Sequence, residues 1–255
     1  MVAYQALHTA ARFAKQGHTA AVLCHRSSPL YAECGKLKVE ARSFKLGARL
    51  GFFETAGWDI AHFYNMPGLS PHFMKKARAA SRIFVTQIKL GSQESFQKLA
   101  QLQPCVDLYV GACNSVQDEF VIAGIDPQRT FMVPPCLNIG RWESAMLIRP
   151  AMFRKRPYKV GIVSMDRTMK EQELFLMMAK EVLDVMPETN FMIVGVKDER
   201  IRELARGLGI SHKVDVLWER NDIPEVMAMM HIYAKTASRP GLSMSLIEAQ
   251  ASGVT

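Results

Sequence analysis

Short runs of β-branched and other apolar residues alternate along this chain with longer stretches patterned for helices, and this alternation is the strongest limit on its fold. Strands separated by helices predict a parallel sheet, because parallel neighbours can be joined only by a crossover long enough to hold a helix. The expected class is α/β. In the first half Ala3, Leu7, Ala11 and Ala14 share one helical face, Gly17 ends that helix, and residues 19–24 follow as an apolar strand. Further strands are expected at 39–44, 59–64, 82–87, 107–112 and 130–133, with helices over 71–81 and 94–102. Residues 149–159, RPAMFRKRPYK, are polar and basic with two prolines, and read as a linker. That linker separates a domain over 1–148 from one over 160–255. In the second, strands are expected at 158–164, 190–195, 214–217 and 232–236. Helices are expected over 171–185, 200–208 and 223–230, and from near Ser243, the first with Leu174, Met178, Val182 and Val185 on one face.

Composition excludes several classes. With 49% hydrophobic and 22% charged residues among 255, the chain can bury a core, yet charge interrupts every apolar run well short of the ~20 residues a bilayer span needs. The start lacks a basic segment followed by an apolar core, so export is not expected and a cytoplasmic protein is. Five cysteines, Cys24, Cys34, Cys105, Cys113 and Cys136, are odd in number and free of any CxxC pair. They are expected to be small core residues in a reducing compartment, not a disulfide framework or zinc site.

The net charge of +8 sits mostly in residues 1–150, which hold 17 Lys and Arg against 10 Asp and Glu. A basic half suits an anionic partner or is simply a solvated face. In SPHFMKKARAASR, a helix starting at Pro71 would place Lys75, Lys76 and Arg78 on one side and Phe73 and Ala77 on the other. Joined by Arg42, Lys45 and Arg49, that side suits weak contact with an anionic membrane, and equally a solvated helix. No basic and aromatic residues interleave as a nucleic-acid surface requires, and nucleic acid is not expected as a partner.

The C-terminal stretch SRPGLSMSLIEAQASGV, residues 238–254, resembles the signature of glycosyltransferase family 4, in which a Glu, seven residues and a second Glu precede a small-residue run and a Gly. PETNFMIVGV at 187–196 and ERIRELARGLGISHKVDVLWERNDIPEVMAMMHIYAKTA upstream of the signature are similar to the family in the same order. So, in the first half, are AKQGHTAAVLC, WDIAHFYN and VGACNSVQDEFVIAGIDPQRTFMVPPCLN. The resemblance spans nearly the whole chain. It implies the GT-B fold, two Rossmann-like domains facing across a cleft. It also implies retaining transfer of a sugar from a nucleotide-sugar donor to a glycan, lipid-linked or small-molecule acceptor, as in polysaccharide biosynthesis. Family members usually begin with a strand and a Gly-rich turn ahead of the first helix, and continue past the pair matched by Gly253 and Val254, so the chain reads as trimmed at both ends.

The resemblance also implies the donor site. Such an enzyme must neutralise charge on a departing diphosphate, and Arg167 and Lys170, in SMDRTMKEQE after the first strand of the second domain, are the implied phosphate ligands. Glu248 matches the Glu that hydrogen-bonds the donor ribose. The backbone amides of Gly241, Leu242 and Ser243, before the last helix, are candidates to face sugar or phosphate. Three positions depart from the pattern. Pro240 stands where the first Glu of the signature would be, Ile88 where a first-domain His is common, and Ile162 where an Arg often follows Gly161. Pro240 and Ile88 favour an alternative, a non-catalytic module that binds nucleotide or glycan. His62 and His18 are expected to be structural. There is no Asp-x-Asp and no cluster of His, Asp and Glu at metal spacing, so no metal or other cofactor is expected.

Overall fold

In the computed structural model the described residues are 2–43, 57–65, 69–87, 91–154, 156–164, 169–195, 199–218, 220, 222–236 and 242–255. The chain divides into two compact units, Met1–Cys136 and Leu137–Thr255. The division therefore falls ahead of the 149–159 segment expected to be the linker.

In the first unit, α1 (Val2–Lys15) buries Leu7 and Ala11 and ends before Gly17, whose φ of 90° an L side chain rarely adopts. Strand β1 (Ala21–Cys24), helix α2 (Pro29–Lys36) and strand β2 (Glu40–Ser43) follow, with β1 and β2 parallel. Ser28 caps α2 by accepting from the Leu30 amide, and Pro29 occupies the first turn, where a missing N–H costs nothing. A second parallel sheet has the order β3 (Ile60–Tyr64), β4 (Arg82–Gln87), β5 (Leu108–Gly111), β6 (Thr130–Met132). Helices α3 (Pro71–Ala80), α4 (Gln93–Gln101) and α5 (Asn114–Ile122) connect its strands, the first two capped by Ser70 and Ser92. The apolar side of α3 is already taken. Met74 and Ala77 are fully buried and Phe73 packs edge-on against Phe63, so of the arrangement suited to lipid only the basic side is outward, with Arg78 paired to Asp107.

The second unit begins with α6 (Glu143–Phe153), followed by β7 (Lys159–Ser164), α7 (Lys170–Val185), β8 (Asn190–Gly195), α8 (Arg200–Gly207), β9 (Val214–Leu217), α9 (Ile223–Ala228), β10 (Ile232–Tyr233) and α10 (Met244–Ala251). Its four strands are parallel in the order β10-β7-β8-β9. Both faces of this sheet are covered, which is why β7 and β8 read as continuous apolar runs. Ile162, Phe191 and Ile193 point into a core with Phe175, Leu176 and Ile201, while Val163, Met192 and Val194 point into another with Met227, Met230 and Ala249. Gly161 admits Met230 directly against the strand, since a Cβ there would lie 2.2 Å from its sulfur.

Three expectations are corrected. Helix α6 runs through Arg149 and Pro150, where a linker was expected. Interior prolines disfavour helices, but here Arg149 donates to the carbonyls of Met230 at 2.5 Å, Gly253 at 2.9 Å and His231 at 3.3 Å, and this tertiary anchoring outweighs local preference. Helix α7 buries Gln172, Phe175, Leu176 and Ala179 and leaves Leu174 and Val185 exposed, because Phe175 meets Phe191 edge-on and fixes the rotation. Of the cysteines, all free, Cys24, Cys34 and Cys105 are buried as expected, Cys113 is half-buried and Cys136 is exposed.

Arg149→Ala should leave three carbonyls without their donor in a dry environment, at about 1–3 kcal/mol for an unsatisfied buried group. We expect a total loss of about 3 kcal/mol in urea unfolding, and a change below about 0.5 kcal/mol would show that the anchoring is not what holds α6.

Candidate functional site

Strand order locates the site. From β7 the chain moves outward to β8 and β9, then crosses back to place β10 on the other side of β7. The helices that follow β7 and β10 leave to opposite faces, α7 to the core of Ile162 and Phe175, α10 to that of Val163 and Met230. At such a reversal the carboxyl ends of the two strands part and leave a crevice, the usual ligand position in open parallel sheets.

Several polar side chains meet there. Ser164 ends β7 and donates to the Glu171 carboxylate at 2.5 Å. Lys235, two residues beyond β10, donates to both oxygens of that carboxylate at 2.7 Å, and the Thr236 hydroxyl donates to the Glu171 carbonyl at 2.7 Å. Both members of the ion pair are about one-fifth exposed, with relative accessibility of 19% each. Met169 sets the start of α7. Its side chain is buried while its backbone adopts φ 66°, an unfavourable region for a residue with a Cβ, so packing holds a bend that local preference resists. Lys170 follows as the first residue of α7 and is exposed.

Helix α10 is tied to the same edge. The Tyr233 hydroxyl, buried, donates to the Ser245 hydroxyl at 2.7 Å and lies 3.2 Å from the Val163 carbonyl, and Ser243 and Ser245 are 3.0 Å apart through their hydroxyls. Glu248 stands one turn further along α10, half-buried, and burial pushes its carboxyl up to about 7, with Arg141 acting in the opposite sense. The neutral acid is thus the form that this environment prefers. Its contribution to stability is complete below the ordinary value of 4.5 and is lost as pH rises through about 7.

Of the residues expected in the donor site, Lys170, Leu242, Ser243 and Glu248 lie on α7, on α10 or just ahead of α10. Arg167 and Gly241 lie outside the described residues, as do Pro240 and Ile88. His62 was expected to be a structural histidine. It stands on β3 with its Nε2 2.5 Å from the Thr86 hydroxyl and its ring 4.3 Å from that of Tyr64. His18 is an exposed residue edge-on to Phe13. Ser164, Glu171 and Lys235 were not expected. The signal for Lys235 was present, a lone cation directly after the apolar run HIYA, but its partner 64 residues away was not legible. Among the described residues no group of three His, Cys, Asp or Glu converges as metal ligands, and no helix is long and apolar enough to cross a membrane.

Two Rossmann-like α/β units with parallel sheets define a fold of the GT-B glycosyltransferase kind. Residues 147–255 match the family described as Glycosyl transferases group 1. Among solved structures, HepE of Anabaena in complex with UDP and glucose superposes with a TM-score of 0.80 at 15% identity, over 99% of this chain and 75% of that one. A glycosyltransferase from Rickettsia africae gives 0.74 at 14% identity, over 99% and 74%. Sucrose-phosphate synthase from Thermosynechococcus elongatus gives 0.72 at 12%, over 97% and 72%. No curated protein matches the sequence.

Gly195, last residue of β8, is what allows the edge to be this tight. A Cβ there would lie 1.8 Å from the Ser164 carbonyl oxygen, which is backbone and cannot rotate away. Gly195→Ala should therefore push the ends of β7 and β8 apart, at about 1–3 kcal/mol for an overpacked position. A thermal midpoint within a degree of the parent would refute the close approach.

Proposed function

We propose that this protein is a family 4 glycosyltransferase. In this reading it takes a sugar from a nucleotide-sugar donor and passes it, with retention at the anomeric carbon and without a metal, to a glycan, lipid-linked or small-molecule acceptor, as in polysaccharide biosynthesis. The observation that carries the reading is that the group 1 match covers the crevice-bearing unit and includes α10 with its half-buried Glu248. The complex of HepE with UDP-glucose supports a nucleotide sugar as the ligand class. Glu248 is assigned to the ribose hydroxyls, since a carboxylate accepts two donors well. Arg167 and Lys170 are assigned to the diphosphate, with the amides of Gly241, Leu242 and Ser243 facing sugar or phosphate.

A non-catalytic module that binds nucleotide or glycan without transfer is the second reading, favoured by Pro240 in place of the first Glu of the signature and Ile88 in place of a His. Donor hydrolysis or transfer supports the enzyme, and nucleotide binding without turnover supports the module. We place the protein in the cytoplasm, with salt-sensitive contact to an anionic membrane through Lys75 and Lys76, both exposed on α3. Sedimentation with anionic vesicles at low salt should show binding that Lys75→Gln with Lys76→Gln abolishes, and equal binding to neutral vesicles would refute it.

For the donor site, Glu248→Ala should weaken nucleoside diphosphate binding by about 1–3 kcal/mol in calorimetry, the range for losing a charged hydrogen-bond partner. Because the carboxyl titrates near 7 and its ionised form is the better acceptor, affinity should rise from pH 6 to pH 8. Glu248→Gln should flatten that rise. Unchanged binding by Glu248→Ala would remove the ribose assignment.

A further inference from the structure

Among the ion pairs of the described residues, that of Lys235 and Glu171 is the most enclosed. Withdrawing two charges from water is costly, and attraction between them offsets this only with good geometry and further hydrogen bonds. Both conditions hold. Lys235 bonds both carboxylate oxygens at 2.7 Å, and Ser164, itself buried, donates to one of them. Further contacts fix the segments that carry the pair: the Ala234 amide donates to the Gly161 carbonyl at 2.9 Å, and the Thr236 hydroxyl donates to the Glu171 carbonyl at 2.7 Å. Lys235 thus has little freedom to be elsewhere.

The pair also has an unused valence. An ammonium carries three N–H donors, and among the described residues those of Lys235 meet only the Glu171 carboxylate, through two contacts. One donor is left, on a cation at the point where β7 and β10 part. An empty crevice with an uncompensated lysine would be unfavourable, and Glu171 supplies the compensating charge. When a phosphate group enters, the cation has two anionic neighbours in place of one, and charge-assisted N–H bonds to phosphate oxygen are among the stronger ones available.

We infer that Lys235 is a donor-binding residue that contacts a phosphate oxygen of the nucleotide, and that Glu171 is a positioning residue which holds the ammonium at the crevice while the site is empty. The inference rests on the nucleotide-sugar reading above and adds a cation outside the 167–170 segment to which diphosphate binding was assigned. It also gives Glu171 a testable role opposite in sign to that of a stabilising partner. Its carboxylate orients Lys235 but repels phosphate, so neutralising it should cost folding stability without costing phosphate affinity.

Calorimetry on the whole chain with UDP and with uridine tests this, with ADP and GDP in parallel to cover the base. Lys235→Met should lower diphosphate affinity tenfold or more while changing uridine affinity less than twofold, and Lys235→Arg should restore most of it. Glu171→Gln should bind UDP at least as tightly as the parent, despite a lower thermal midpoint. The double variant Glu171→Gln with Lys235→Met removes both charges and avoids leaving one buried and unpaired, and it should fold yet show the same selective loss of UDP. Equal UDP affinity in the parent and the lysine variants overturns the inference, as does an equal loss for UDP and uridine. Failure of the parent to bind any of the three diphosphates overturns the nucleotide-donor reading itself and this inference with it.

Discussion

Burial of the second unit's sheet on both faces is the constraint from which the rest of that unit follows. A parallel sheet must be covered on each side, so β7 and β8 carry apolar residues at nearly every position, alternating between the core around Phe175 and the core around Met230. Neither face is free for a ligand. The carboxyl edge is where polar groups can gather without disturbing a core, and there the order reverses between β7 and β10.

What gathers at that edge is held by packing first and charge second. Met169 keeps an unfavourable backbone angle because its side chain is buried, and so delivers Lys170 and Glu171 to the start of α7. Gly195 lets β8 lie against the Ser164 carbonyl, and Tyr233 ties α10 to the carboxyl end of β7. With these elements fixed, the Glu171–Lys235 pair needs little further ordering when it forms, which is the condition under which a half-buried ion pair can be favourable. Glu248, on the same helix as Ser245, experiences enough burial to titrate near neutrality.

The first unit is built from the same βα vocabulary, and its described residues form two parallel sheets, β1 with β2 and β3 through β6. Its helix α3 illustrates how a reading from charge alone falls short. The basic side is visible in the sequence, whereas the claim of Met74 and Ala77 on the core is a matter of which neighbours the fold supplies.

The sequence by itself determined the alternation of strands and helices and most element positions. Strands 82–87, 190–195 and 214–217 fall where their apolar runs do, because burial on two faces leaves a local mark. Through its family resemblance it also offered Lys170, Ser243 and Glu248 as candidates for the donor site. Only the tertiary structure decided the rest. Helix α6 survives Pro150 through bonds from Arg149 to residues 81, 82 and 104 positions away, and the rotation of α7 is set by Phe191 on a neighbouring strand. The meeting of Lys235 with Glu171 depends on the crossover that puts β10 beside β7. These are contacts between residues remote in the chain, and no local periodicity, propensity or charge count records which remote residues a fold will bring together.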